Sequence, residues 1–245
     1  MKIAIDPNIP FITKPLSSLQ GAVLTHDLTR EGVHDADIVI TRTRTRCDAS
    51  LLDGSKCRFI GTATIGTDHI DLDYCRRAGI TVANAPGCNA PAVGQWVLSA
   101  VRETGGYEGR TLGVIGAGNV GSLLIRWALS IGMKVLVNDP PLQAAEPDRY
   151  RFSTLDEIAA QADIITVHTP LTRSGDCPTY HLLGDGFINT LRRRPLVLNS
   201  ARGPVADTAA LLRGFEEGRI SALGIDCWEG EPHISPELLD AAPFA

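Results

Sequence analysis

The chain has 245 residues, 28 of them acidic and 23 basic, with a net charge of −5 and 44% apolar residues. This balance gives no electrostatic footing for a nucleic-acid partner, and no apolar run approaches the ~20 residues that a membrane-spanning helix needs. The length admits one large domain or two smaller ones, each able to bury a core. Six cysteines without close pairing read as free thiols, neither a zinc site nor a disulfide framework.

Residues 1–6 form a short strand stopped by Asp6, without the apolar core and cleavage site of a signal peptide, so the expected location is cytoplasmic. Residues 2–5, 37–41, 58–62 and 80–83 are β-rich runs spaced by amphipathic segments, the rhythm of a parallel sheet. Asn89 with Pro91 behind it marks a helix start, and the helix through Trp96, Val97 and Ala100 leads to a strand at 111–115. The domain boundary is expected there, giving domains 1–88 and 89–245. Strands follow at 134–138, 163–167, 196–198 and 222–225. Thr154 and Glu157 have capping-box spacing before a helix, and Asp207 can cap the helix that ends at Gly218. No internal repeat or low-complexity segment interrupts this alternation, and the fold class is α/β, with two doubly wound parallel-sheet domains.

The most specific motif lies where strand 111–115 runs into Gly116, Gly118 and Gly121 and then into an apolar-periodic helix, residues 122–131. In that context GxGxxG is a dinucleotide fingerprint. Gly116 allows the tight turn, Gly118 lets a pyrophosphate approach the backbone, and Gly121 lets helix and strand pack closely. The next strand ends in Asp139, placed to accept hydrogen bonds from ribose hydroxyls, which favours NAD over NADP. A ligand-free glycine turn accounts less well for strand, turn, helix and acid together.

Ligands of open α/β sheets sit beyond the carboxyl ends of the strands. Polar chemistry gathers there in His168-Thr169-Pro170-Leu171-Thr172, in Asn199-Ser200-Ala201-Arg202-Gly203, in Asp226-Cys227-Trp228-Glu229-Gly230-Glu231-Pro232, and in Asp139. Taken singly, Arg202 is an ordinary surface cation and Glu231 a solvated loop acid. Their convergence on one cleft is what points to function.

These strings resemble the D-2-hydroxyacid dehydrogenases over essentially the whole chain. The resemblance implies a flavodoxin-like substrate domain at 1–88 and a Rossmann NAD domain at 89–245 that lacks its C-terminal end. More particular strings, Gly61-Thr62-Ala63-Thr64-Ile65-Gly66-Thr67-Asp68-His69, Ala85-Pro86-Gly87-Cys88-Asn89-Ala90, Pro178-Thr179-Tyr180-His181-Leu182-Leu183 and residues 226–232, resemble the branch that oxidises 4-phospho-D-erythronate in pyridoxal 5′-phosphate biosynthesis. That branch transfers a hydride from C2 of this small anionic phosphorylated hydroxyacid to NAD. The resemblance implies that Arg202 holds the substrate carboxylate and reacting oxygen, Glu231 fixes a histidine base, and Asp226 orients the nicotinamide carboxamide. It also implies cofactor contacts from Gly116, Gly118, Asn119, Val120, Gly121, Asp139, Thr169, Ala201 and Arg202, and substrate contacts from Thr43 and Thr64. The Ile65 and Gly66 backbone offers N–H groups to a carboxylate.

Independently of the resemblance, Arg42, Arg44 and Arg46 would share one face if strand 37–41 continued, a cationic patch for an anionic substrate or else a basic edge that blocks strand pairing. Gln95 and the short 102–110 stretch depart from the family pattern. So does the base: the family histidine follows the glutamate by one helix, here 236–242, and one strand, of which Pro243-Phe244-Ala245 is the expected start. The histidine is therefore expected beyond Ala245, with His233 a poor substitute. The family's closing helix and C-terminal dimerisation segment would lie there too. The complete protein is expected to be a homodimer, and this polypeptide alone weakly stable or aggregation-prone. An NAD(H)-binding protein without turnover, and a dehydrogenase of another phosphorylated hydroxyacid such as 3-phosphoglycerate, stay open at this point.

Overall fold

The computed structural model describes residues 1–244, the side chain of Thr13 excepted, and divides into two compact units, Met1–Cys88 and Asn89–Ala245. In the first unit β1 (Lys2–Ile5), β2 (Val23–Thr25), β3 (Ile38–Thr41), β4 (Phe59–Thr62) and β5 (Thr81–Ala83) form a parallel sheet in the order β2-β1-β3-β4-β5. Ala4, Val39 and Ile60 on the central strands are fully buried against Val33, Leu52 and Ile70. The edge strand β2 escapes sequence reading because it is short and Val23 is 63% exposed, so no apolar alternation marks it.

β3 does not continue past Thr41. Thr41 is buried, its hydroxyl donates to the carbonyl oxygen of Arg42, and the chain turns until Cys47 bridges Ile70. Arg42, Arg44 and Arg46 therefore sit on a turn instead of one strand face.

In the second unit β6 (Thr111–Ile115), β7 (Lys134–Asn138), β8 (Ile164–Val167), β9 (Leu196–Asn199) and β10 (Ala222–Ile225) form a parallel sheet in the order β10-β9-β8-β6-β7. Counted from the first strand of each unit, the two sheets share one strand order, though no sequence repeat announces it. In both, the order reverses between the first strand and the third, β1 and β3 or β6 and β8. Such a switch point opens a crevice at the carboxyl ends.

Every residue of β6, β8 and β9 is buried, as expected for strands covered by helices on both faces. Gly113 in β6 lets the helix Leu155–Gln161 press onto the sheet, because a Cβ there would come 2.7 Å from Ile158. Thr154 and Glu157 form both halves of the expected capping box, and Asp207 accepts from the Ala210 N–H at 3.1 Å to cap Thr208–Glu216. Asn89 occupies the N-cap of Ala90–Glu103 but makes no side-chain capping bond, since its backbone is not extended there. At the other end of that helix the short 102–110 segment turns through Gly105 and Gly106 at φ of +111° and +82°. Arg110 closes it, donating to the carbonyls of Thr104 and Gly106 at 3.1 Å.

The helix Asn119–Ser130 starts earlier than its apolar periodicity suggests, because the fingerprint residues form its first turn. After the helix Pro236–Ala241 the chain re-enters the sheet: Phe244 bridges Gly224 in parallel, and the Ile225 N–H donates to its carbonyl at 2.9 Å. Ala245, in the expected strand start, lies outside the described residues. All six cysteines are free, and no described helix is long and apolar enough to cross a membrane.

Thr154→Ala removes the capping hydroxyl and is expected to lower unfolding free energy by about 1 kcal/mol, measured by urea denaturation.

Candidate active site

At the end of β6 the chain turns through Gly116 at φ +91°, where a Cβ would meet the backbone of His168 at 2.8 Å. A Cβ on Gly121 would lie 1.9 Å from the Gly116 carbonyl oxygen, so only glycine lets the helix sit this close. Gly118 faces open space. The helix that begins at Asn119 and Val120 presents first-turn N–H groups that have no intrahelical acceptor. Asp139 ends β7 and locks the turn: its carboxylate accepts from the Ala117 N–H at 2.8 Å and from the Leu142 N–H at 3.0 Å. Both bonds leave lone pairs for a ribose hydroxyl.

From this turn the polar residues run in strand order across the sheet. Thr169 packs its methyl against the Gly116 position, and its hydroxyl is buried without a hydrogen-bond partner among the described residues. His168 shares hydrogen bonds with Thr166 at 2.9 Å and Ser200 at 3.4 Å, tying β8 to the β9 loop. The buried Asn199 then joins β9 to β10. Its side chain donates to the Arg202 carbonyl at 3.0 Å and accepts from the Ala201 N–H at 3.1 Å, and its carbonyl accepts from the Asp226 N–H at 2.9 Å. Arg202 donates to the Ala201 carbonyl at 2.7 Å. Gly203 packs so tightly that a Cβ would lie 2.0 Å from the Trp228 carbonyl oxygen. Glu231 accepts from the Trp228 N–H at 2.7 Å through one oxygen. Asp139, the glycine turn, Thr169, Ala201, Arg202, Asp226 and Glu231 thus belong to one continuous row.

Sequence reading missed the clamp beside that row. His181, at φ +52°, lies 2.6 Å from Glu229 through Nε2 and 3.5 Å from Asp207 through Nδ1. Tyr180 stacks on its ring at 3.9 Å, and Arg173 lies 3.8 Å over Tyr180. Burial alone would raise the Glu229 pKa, but hydrogen bonds from Thr208 and His181 hold it below the ordinary carboxylate range. The signal available in the sequence was the Pro178-to-Leu183 string, whose partners are too distant in the chain to be read from spacing. Burial, with the Glu231 charge nearby, raises the Asp226 carboxyl, and burial pushes the Cys227 thiol up to about 12.

In the first unit, Thr64 donates to the Gly66 carbonyl at 2.9 Å and Thr62 lies 2.7 Å from Thr64, with His69 Nε2 3.1 Å from Thr62. With Thr64 donating, the chain runs His69 to Thr62 to Thr64. Asn84 donates to the Ile65 carbonyl at 2.6 Å. The carbonyls of this loop are thereby engaged, while the Ile65 and Gly66 N–H groups donate to nothing among the described residues. Thr43 is exposed on the turn after β3. Arg42 and Arg44 line a cavity with Asp6 and Asn8, whereas Arg46 pairs with Asp48 at 2.8 Å and is not part of it.

The residues of the second unit fit a dinucleotide. The open Gly118 position, the helix N-terminus and the orphaned Thr169 hydroxyl all lie along one path. No described cluster of histidine, cysteine or acidic side chains could hold a metal ion.

Residues 89–243 match the family profile described as D-isomer specific 2-hydroxyacid dehydrogenase, NAD binding domain. A protein of Bacteroides thetaiotaomicron named erythronate-4-phosphate dehydrogenase is 46% identical over 98% of this chain and 71% of its own length. Among solved structures, the TT0316 protein from Thermus thermophilus has a TM-score of 0.83 at 26% identity, covering 99% of this chain and 87% of that one. The NAD+-bound 3-phosphoglycerate dehydrogenase of Entamoeba histolytica has a TM-score of 0.76 at 25% identity, covering 95% and 82%. The chain belongs to the D-isomer-specific 2-hydroxyacid dehydrogenase family and is an NAD-dependent oxidoreductase.

Burial pushes the His168 pKa from 6.5 down to about 3. Between those values the unfolded chain binds a proton that the folded protein refuses. The contribution of His168 to stability is therefore complete above pH 6.5 and is lost as the pH falls toward 3. His168→Gln is expected to remove up to ~1.4 kcal/mol per pH unit from that slope, measured by denaturation at several acidic pH values. An unchanged slope would mean the imidazole titrates normally. Gly203→Ala is expected to displace residues 226–231, at a cost of roughly 1–3 kcal/mol, and to shift the emission of Trp228.

Proposed function

We propose that this protein oxidises 4-phospho-D-erythronate at C2 to 2-oxo-3-hydroxy-4-phosphobutanoate, with NAD as acceptor, in pyridoxal 5′-phosphate biosynthesis. The observation that carries the chemistry is the unbroken row from Asp139 through the glycine turn and Thr169 to Arg202, Asp226 and Glu231. The choice of substrate is supported by the name of the Bacteroides relative and by the strings at 61–69, 85–90, 178–183 and 226–232.

Bound NAD supplies the acceptor for the hydride. Gly116, Gly118, Asn119, Val120 and Gly121 hold its pyrophosphate, Asp139 its ribose, and Thr169, Ala201 and Asp226 its nicotinamide half. Arg202 grips the substrate carboxylate and the C2 oxygen, because a guanidinium stays charged and forks onto oxygens. In the first unit, the Ile65 and Gly66 N–H groups, with Thr64, Arg42 and Thr43, are the groups we assign to the substrate anion. The C2 hydroxyl proton passes to a histidine. Glu231, with one oxygen fixed by the Trp228 N–H, keeps its other oxygen for that imidazole, whose tautomer it fixes.

No described histidine suits this base, since His233 is exposed in the loop just past Glu231.

The test is NADH formation by the protein supplied with NAD and a phosphorylated hydroxyacid. Turnover of 4-phospho-D-erythronate is expected to exceed that of 3-phosphoglycerate by at least roughly tenfold in kcat/KM. Equal or better use of 3-phosphoglycerate would reassign the substrate. NADH binding without turnover of any phosphorylated hydroxyacid would make the protein a cofactor-binding module.

A further inference from the structure

We propose that the crevice at the carboxyl ends of β1 and β3 reads the phosphate end of the substrate, with Arg44 as its specificity-determining residue. The inference rests on the substrate reading above and assigns a site within the first unit. The sheet order β2-β1-β3-β4-β5 reverses between β1 and β3, so the fold itself opens a ligand crevice there. The corresponding crevice of the second sheet, between β6 and β8, holds the glycine turn and Thr169.

The crevice is built, not incidental. Asp6 is only 3% exposed at the end of β1, where its N–H donates to the Ile40 carbonyl at 2.8 Å. One of its carboxylate oxygens accepts from both the backbone N–H of Asn8, at 2.8 Å, and the Asn8 side-chain amide, at 2.9 Å. Asn8, thus fixed, accepts at its carbonyl from Arg42 Nη1 at 2.8 Å. Arg42 is anchored through one donor and keeps the rest of its guanidinium for a ligand.

Arg44 makes no hydrogen bond or ion pair among the described residues, although it lines the same cavity of about 280 Å³ with Asp6, Asn8 and Arg42. Arg46 has found a partner in Asp48. An unpaired guanidinium beside an anchored one is a fork for a group with several charged oxygens. Two arginines against Asp6 leave one net positive charge, which favours a phosphate dianion over a neutral hydroxymethyl end. The two N–H groups of Asn8 engage one oxygen of Asp6, so part of its negative charge is already answered within the crevice.

Calorimetric titration of the protein with 4-phospho-D-erythronate, D-erythronate and inorganic phosphate tests this, comparing wild type with Arg44→Ala, Arg44→Lys and Arg46→Ala. Arg44→Ala is expected to weaken 4-phospho-D-erythronate roughly tenfold to a hundredfold, to leave D-erythronate unchanged and to leave the melting temperature unchanged. Arg44→Lys should recover part of the loss, and Arg46→Ala should cost less than about threefold. An unchanged preference for the phosphorylated acid in Arg44→Ala overturns the proposal. If wild type binds neither acid, the substrate reading fails. Inorganic phosphate then decides the crevice: binding lost in Arg44→Ala upholds an anion site, and binding absent or unaffected by that variant overturns it.

Discussion

Backbone must meet backbone, with no side chain between, at the carboxyl ends of the second sheet. Gly121 rests on the Gly116 carbonyl and Gly203 on the Trp228 carbonyl, each closer than any Cβ permits. The first contact sets the helix N-terminus at the end of β6, and the second brings the β9 and β10 loops into one row. Asp139 and Asn199 then convert proximity into geometry, because each satisfies N–H groups from a neighbouring strand end. The chemistry proposed for Arg202, Asp226 and Glu231 requires that frame first.

Burial does the second part of the work. His168 stays neutral, so it joins two loops without placing a cation beside the cofactor path. The Thr169 hydroxyl is the converse case, a buried donor left open where the glycine turn would bring a ligand. A ligand that bonds to this hydroxyl would be oriented by it.

Much of this was legible in the sequence because the signals were local. Strand, glycine turn and following acid fix the β6 to β7 unit from residues close in the chain, and the Thr154–Glu157 box and the Asp207 cap depend on spacings of a single helical turn. What stayed hidden depends on contacts distant in sequence. β2 is an edge strand without alternation, and the His181–Glu229 pair joins loops 48 residues apart. The arginine spacing misled for a related reason: Thr41 ends β3 through its own hydroxyl, so Arg42 and Arg44 reach one cavity while Arg46 turns to Asp48.

The central claim is that the row at the ends of β7, β6, β8, β9 and β10 is a dinucleotide site keyed to NAD by Asp139. Fluorescence titration with NADH and NADPH, on the wild type and on Asp139→Ser, tests it most directly. Saturable NADH binding is predicted, tighter than NADPH by roughly tenfold or more in the wild type and with that preference lost in the variant. Equal affinity for the two in the wild type, or no saturable binding of either, would contradict the account.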